Sequence, residues 1–371
     1  MKRNHAILLS LAAAFLAAVS GCKPSWTPVI DDHFYLGADI SGSAGQEMRG
    51  EYYYHENGDE PVEITQLMKD MGLDAVRLRV WVNPRRWSRR GAPVDSTDNR
   101  GLCNKEDVLY NALLAKNLGM DVMVDFHYSD TWADPGHQPI PAAWLGHSYE
   151  EMKEDLKAHT IETLQLLKDN GVSPKWVQVG NETRNGFLWN NIKDSVTVHM
   201  GHSKLDPEQY AGFIDAGYEA VKTVFPKSIV IVHLDNGYDS EMYDWNLGIL
   251  EQYGARYDMV GMSLYPYWAR NRIPDADEVI SKCMDNIGHV YERFGKESMI
   301  VETGAEVVLD DEERMAESVR QMAAIVKASR NTPHCHGLFY WNPCCRPRGY
   351  MLGAYDMEGR PTGIMNAFVE K

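Results

Sequence analysis

Cysteine is scarce in this chain, six in 371 residues, which excludes a disulfide-stapled miniprotein. Positive charge is also short: 37 Lys and Arg stand against 53 Asp and Glu, a formal net charge of −16. Such a balance repels phosphate backbones and anionic lipid, so nucleic acid and polybasic membrane docking are excluded and a neutral partner fits better. No Gly/Ser-rich or Pro-rich linker interrupts the chain, and no cysteine pair has zinc spacing. Cys344 and Cys345 are adjacent, whereas zinc ligands leave at least about two residues between them. Neither a metal nor a cofactor is expected. With 44% hydrophobic and 24% charged residues the composition is that of an ordinary globular protein, which excludes disorder.

What is present begins with an export signal. Lys2 and Arg3 precede an apolar run, Ala6 to Val19, that is too short for a comfortable membrane span. The ending Val19-Ser20-Gly21-Cys22 resembles a bacterial lipobox. On that reading residues 1–21 are a signal peptide, Cys22 is lipidated, and 22–33 form a tether holding a soluble domain at a membrane through its lipid alone. A plain signal peptide with an incidental cysteine is the alternative. Losing Lys2 and Arg3 takes the mature charge to −16 − 2 = −18. The remaining cysteines, Cys103, Cys283, Cys335, Cys344 and Cys345, are odd in number, so at least one is unpaired unless a bond forms between molecules.

From Phe34 onward, short apolar runs alternate with helical patterns. The expected strands are Phe34–Ser41, Ala75–Asn83, Asp121–Tyr128, Lys175–Glu182, Ser228–Asp235, Met259–Tyr265, Met299–Glu302 and Gly337–Trp341. Helix signals lie between them: Asn104 before an apolar series, Ser148 with Glu151 as a capping box, and Asp206-Pro207-Glu208-Gln209 as a cap with proline at the first helical position and a capping-box Gln. Met315, Val319, Met322 and Val326 form a core-facing stripe. Eight strand–helix alternations predict a single (β/α)₈ TIM barrel over residues 34–371. A propeller blade, four strands without a helix, does not fit.

In such a barrel the chemistry sits where strands end. Strand four ends in Asn181-Glu182 and strand seven in Glu302. A lone strand-end carboxylate is more often a cap or an ion-pair partner, but two that face each other across a barrel mouth suit glycoside cleavage. There one carboxyl protonates the leaving oxygen and the other, ionised, attacks the anomeric carbon, with about 5–5.5 Å between them for retention.

The motifs Gly37-Ala38-Asp39-Ile40-Ser41, Val76-Arg77-Leu78-Arg79-Val80-Trp81-Val82-Asn83-Pro84 and Asp125-Phe126-His127-Tyr128-Ser129-Asp130-Thr131-Trp132-Ala133-Asp134-Pro135-Gly136 are joined by Gln178 to Glu182, His233 to Gly237, Tyr265 to Trp268, Val301 to Thr303 and Phe339 to Trp341. Over this length the chain resembles glycoside hydrolase family 53, the arabinogalactan endo-β-1,4-galactanases. The resemblance implies Glu182 as acid/base and Glu302 as nucleophile; the residues alone do not decide which is which. It also likens Asn181 to a residue that bonds the sugar 2-hydroxyl, a turn-former being the plainer reading, and implies that Trp341 is the sugar floor.

Other residues are expected at the site on physical grounds. Arg79 is a cation able to hold the nucleophile ionised. His127, His233 and Tyr265 stand ready to orient carboxylates or bond hydroxyls; Asp39 is a further hydroxyl partner, with a turn or cap as the alternative, and the resemblance adds Asp235, within the His233 to Gly237 motif, as a substrate-binding residue. Trp132 and Trp268 are further stacking platforms. After Glu302 the family pattern gives way to Thr303-Gly304-Ala305-Glu306, and after Trp341 to Asn342-Pro343-Cys344-Cys345. The seventh loop is short for the calcium site of some bacterial relatives, so none is expected. The resulting expectation is a monomeric, lipid-anchored, retaining endo-hydrolase of β-1,4-galactan side chains of pectin, with display on the cell surface favoured over the periplasm. The rivals are another retaining endoglycanase of the same clan, acting on mannan, xylan or glucan, and a non-catalytic surface glycan-binding lipoprotein.

Overall fold

The computed structural model describes residues 28–85, 98–189 and 200–369. The signal peptide, Cys22 and the first part of the tether lie outside the described residues. Eight parallel strands close into a barrel in chain order: β1 (Tyr35–Asp39), β2 (Ala75–Val80), β3 (Asp121–Phe126), β4 (Trp176–Val179), β5 (Ile229–Leu234), β6 (Met259–Leu264), β7 (Glu297–Thr303) and β8 (Cys335–Trp341). Long helices, among them Lys105–Asn117, Tyr149–Asp169, Pro207–Val224, Ala276–Phe294 and Glu312–Asn331, return the chain between strands. The expected TIM barrel is the observed fold.

Several strands stop earlier than the sequence pattern predicts. β3 stops before Tyr128 and β4 before Glu182, because Tyr128 (φ 49°), Gly180 (φ 81°) and Glu182 (φ 47°) leave the extended region. Conversely, β7 and β8 start two residues before their apolar runs, at Glu297 and Cys335, where Ser298 pairs with Cys335.

Strands of a parallel barrel are buried on both faces, so each reads as a nearly continuous apolar run. Val76, Leu78 and Val80 of β2, like Val122, Val124 and Phe126 of β3, face outward into the shell beneath the helices. Their alternates point inward: Tyr35, Ala75, Met123, Trp176, Ile229, Ile231, Met259, Met299, Val301 and Phe339 fill the lower barrel as a second cluster. A Cβ at Gly37 would overlap the Phe339 ring, so glycine there gives β8 room to seat that phenylalanine.

The helix caps form as read, except for the capping-box bond expected of Gln209. Asn104 accepts from the Asp107 N–H, and Ser148 and Glu151 form a reciprocal capping box, each cap contributing about 1 kcal/mol. Asp206 accepts from the Gln209 N–H, but Gln209 Oε1 is buried without a partner, so the return bond of a box is not made. In Glu312–Asn331, Met322 and Val326 are buried and Met315 and Val319 pack at the edge of the core. Cys103, Cys283, Cys335 and Cys344 are buried free thiols, and Cys345 is a partly buried one.

Candidate active site

Higher in the barrel the inward positions turn polar. Arg77 lies two residues above Ala75, Asp125 above Met123, Gln178 above Trp176 and His233 above Ile231, and all four are fully buried. Arg77 organises them. Its guanidinium meets Asp39 Oδ2 (2.9 Å), Asp125 Oδ2 (2.8 Å) and Glu302 Oε1 (2.9 Å), and donates to Gln178 Oε1 (3.1 Å) and Asn181 Oδ1 (2.8 Å). One buried cation thus serves three carboxylates, and its own pKa is raised. Burial works to raise Asp125, but Arg77 and His127 outweigh it and hold that carboxyl below its ordinary value. Burial keeps His127 neutral. The Ala133 N–H donates to its Nδ1 (3.0 Å), so Nε2 carries the proton toward Asp125 (3.0 Å).

Glu302 reaches this network through an irregularity in β7. Met262 pairs with Ile300, but Ser263 pairs with Glu302, so one extra residue is inserted in β7. Strict alternation after Met299 and Val301 would send Glu302 outward; the bulge makes Val301 and Glu302 successive inward residues. Glu302 is 6% exposed, and besides Arg77 it accepts from the Tyr265 hydroxyl (3.2 Å).

Glu182 stands three residues beyond β4 in a left-handed conformation, φ 47° and ψ 54°, a backbone state that costs a non-glycine residue about 1–3 kcal/mol and recurs at functional sites. Its N–H donates to His233 Nδ1 (3.3 Å), and its Oε1 accepts from Ser263 Oγ (2.7 Å). Because Ser263 gives its only hydroxyl hydrogen to Glu182, the 2.8 Å contact between His233 and Ser263 is Nε2–H donating to Oγ.

The two carboxyls are therefore unequal. Burial raises both. At Glu302 it is opposed by Arg77 and assisted by Asp125 and Asp39, leaving the group pushed up to about 7. At Glu182 burial is joined by the charges of Glu302 and Asp235 and opposed by the Ser263 bond, leaving it well above the carboxylate range. With the cation on Glu302, Glu302 ionises first and Glu182 retains its proton. A held proton beside a held anion is what acid-assisted displacement at a sugar carbon needs.

Both carboxyls line a cleft of about 440 Å³ at the barrel mouth. It also exposes His127, Trp132, Asn181, Asp235, Tyr265, Trp268 and Trp341, so nine expected site residues, these seven with the two glutamates, are brought together. Aromatic rings form one continuous wall: Trp81 meets Trp132 (5.5 Å between centroids), Trp132 meets Trp341 (5.5 Å), and Trp341 meets Tyr350 (4.7 Å). Asn181 Nδ2 has two hydrogens, one of which donates to the Ala133 carbonyl.

Three expected contacts are corrected. Arg79 does not touch Glu302; it lies 3.8 Å over the Trp132 ring and donates to Cys103 Sγ (3.4 Å). The deeper Arg77 takes the role because its long side chain rises along the barrel axis from an inward position below the mouth. Asp39 does not line the cleft, its oxygens being taken by Arg77 and Ser41. Nor does His233, which is fully buried and acts from beneath through Ser263.

A glycosyl hydrolase family 53 model matches residues 35–361. The chain belongs to glycosyl hydrolase family 53. An arabinogalactan endo-β-1,4-galactanase of Thermothelomyces thermophilus is 29% identical over 83% of this chain and 89% of the relative. An endo-β-1,4-galactanase of Bacillus subtilis is 28% identical over 94% of this chain and 77% of the relative. Among solved structures, the Ignisphaera aggregans GH53 catalytic domain superposes with a TM-score of 0.76 at 26% identity, covering 93% of this chain and 98% of the other.

Within this family 53 hydrolase, sequence reasoning missed Arg77, Asp125, Gln178 and Ser263 as members of the site. Their signal was present: each is a polar residue at an inward position of an otherwise apolar strand. Tyr350, on a loop, carries no comparable periodic mark.

Proposed function

We propose that this family 53 hydrolase cuts internal β-1,4-galactosidic bonds in the galactan side chains of pectin with retention at the anomeric carbon. Ionised Glu302 attacks C1 while Glu182 protonates the departing oxygen. Water then hydrolyses the galactosyl-Glu302 ester, with Glu182 taking its proton. The observation that carries the assignment is the unequal partnering of the two carboxyls, Arg77 on Glu302 and a neutral hydroxyl on Glu182. Formation of the ester removes the Glu302 charge, which lowers the proton affinity of Glu182 and fits it for the second step. The free Asn181 N–H is offered to the 2-hydroxyl, and Trp341 to the apolar sugar face. The names of the galactanase relatives support the choice of galactan.

Reducing-end release from galactan, mannan, xylan and glucan tests the substrate, with galactan expected to be strongly preferred. The anomer first formed, read by proton NMR, tests retention. Glu302→Ala should abolish turnover and be rescued by azide, and Glu182→Ala should recover on substrates whose leaving group needs no proton. Near-full activity of either variant on polymer would overturn the assignment. We also propose lipidation at Cys22 with display on the cell surface. Loss of membrane association in Cys22→Ala and protease sensitivity on intact cells are the expected results.

A further inference from the structure

The loop after β5 faces the aromatic wall across the cleft. In the eight-strand ring β5 stands opposite β1, and the wall arcs past β1, from Trp341 at the end of β8 to Trp81 and Trp132 after β2 and β3. Two residues of the β5 loop, Asn236 and Tyr238, line the cleft and are half-buried. Neither side chain makes a hydrogen bond to any described residue, and the Asn236 amide and the Tyr238 hydroxyl are both open to solvent.

Asn236 has a left-handed backbone, φ 47°. Asparagine tolerates that conformation partly because its side chain can bond its own backbone. Here the amide makes no such bond, so the backbone accounts for the residue type and leaves the amide itself unused. The turn that carries it is fixed. The Asp239 N–H donates to the Asn236 carbonyl (2.9 Å), the Gly237 N–H donates to the Ser263 carbonyl (2.9 Å), and Asn286 Nδ2 donates to the Gly237 carbonyl (2.8 Å). A Cβ at Gly237 would lie 2.7 Å from Cys283 Sγ, so the turn packs tightly against the helix Ala276–Phe294. Ser263 also bonds Glu182, which ties the Asn236 turn and that carboxyl to one residue. The Tyr238 ring packs against the core while its hydroxyl stays free. Polar groups held in place without protein partners, in a cleft that carries two carboxyls, are groups prepared for a ligand.

We propose that the β5 loop reads the hydroxyls of the bound glycan, Asn236 through both ends of its amide and Tyr238 through its phenol, while the wall opposite takes the apolar sugar faces. An amide sets one acceptor beside one donor, a pattern that matches two neighbouring hydroxyls. Inside a 1,4-linked pyranose chain O1 and O4 are held in linkages, so the 2- and 3-hydroxyls are the vicinal pair left free. Asn236 is therefore assigned to that pair on one sugar of the chain. The inference rests on the proposed function only in taking a 1,4-linked glycan as ligand, and it does not depend on which glutamate plays which part.

The test measures binding apart from cleavage. The ligand is a tetrasaccharide cut from the β-1,4-glycan that wild type degrades fastest, so a failure of the galactan reading shows in that choice and leaves the comparison intact. Its Kd is read by titration calorimetry in a Glu302→Gln background, where continued cleavage would expose a failure of the carboxyl roles instead. Asn236→Gly removes the amide and keeps a residue at ease with positive φ. Its Kd should rise about tenfold, the upper end for one neutral hydrogen bond. Tyr238→Phe removes one oxygen without touching the backbone, and its Kd should rise about threefold. In the active enzyme both losses should appear in KM, with kcat within about twofold of wild type, because the contacts are made equally before and during bond cleavage. Melting temperatures should stay within about 2 °C of wild type. An unchanged Kd in Asn236→Gly would mean that the asparagine serves its backbone alone, and would overturn the proposal. So would a fall in kcat at constant KM. If Asn236→Gly melts far below wild type, Tyr238→Phe decides, and an unchanged Kd there sinks the assignment.

Discussion

Ser263 donates a 2.7 Å hydrogen bond to Glu182 and stands directly opposite Glu302 in the β6–β7 register. One hydroxyl on a rigid strand therefore ties the two carboxyls to a common frame. It also opposes the rise in Glu182 proton affinity caused by burial and neighbouring charge.

Replacing that hydroxyl should move one limb of the pH profile. In Ser263→Ala, Glu182 loses the bond that favours its ionised form, so its proton is held to higher pH. The alkaline limb of kcat/KM should shift upward while the acidic limb, set by Glu302, stays in place. We expect kcat to fall about tenfold, the size of one bond to a charged group. A profile lowered uniformly, with neither limb moved, would mean that Ser263 does not act on Glu182.

Arg77 and Arg79 should separate cleanly. Arg77→Met leaves Asp39, Asp125 and Glu302 around a neutral side chain, so stability should drop by about 3–5 kcal/mol in urea unfolding. Its remaining activity should have an acidic limb moved to higher pH, because Glu302 has lost its cation. Arg77→Lys keeps a charge but not the fork of donors, and should fold better while retaining part of that shift. Arg79→Met removes the stack under Trp132 and should raise KM on polymer about three- to tenfold, with the acidic limb unmoved.

Stability should depend on pH through Glu182 with a definite sign. Its folded pKa is raised above the ordinary 4.5, so the stability contributed by its protonated form is complete below that value and lost as pH climbs through the raised one. Glu182→Gln mimics the protonated group at every pH. It should melt with wild type at pH 4 and about 2–4 °C above it at pH 9. Asp125 works in the opposite sense: its folded pKa lies below 3.8, so its contribution is present above that value and lost in acid.

Trp341 is partly exposed at the cleft between Trp132 and Tyr350. Trp341→Ala should lower kcat/KM on galactan by more than about tenfold through lost stacking and looser positioning of the reacting ring. Its melting temperature should fall only modestly. A core tryptophan would instead cost about 3–5 kcal/mol, so calorimetry and kinetics on the same protein distinguish the two.

Eight strands, their order and the two carboxyl-bearing tips were legible because apolar runs and caps are local signals. The polar interior was legible in kind but not in detail. Arg77 and Arg79 share the same parity on β2, and nothing in the pattern says which guanidinium rises into the mouth; that depends on Trp132, which arrives from another strand's loop and captures Arg79. Asp39 read as a hydroxyl ligand because the partner that occupies its carboxylate instead, Arg77, is distant in sequence. The β7 bulge left no trace in composition, since Ile300-Val301-Glu302 reads like any strand end.

That extra residue divides β7 into two parts with different freedoms. Up to Ile300 the strand stays in step with β6, although its register with β8 already shifts between Ser298 and Ile300, and it shares the packing that makes the barrel stand. Above it the chain is one residue ahead of β6, and Glu302 reaches the cleft while Thr303 and Ala305 stay bonded to β6 and β8. The bulge works as a seam between foundation and rim. Variation in the rim retunes which sugar is held and how its bond is broken, while the barrel beneath keeps its register.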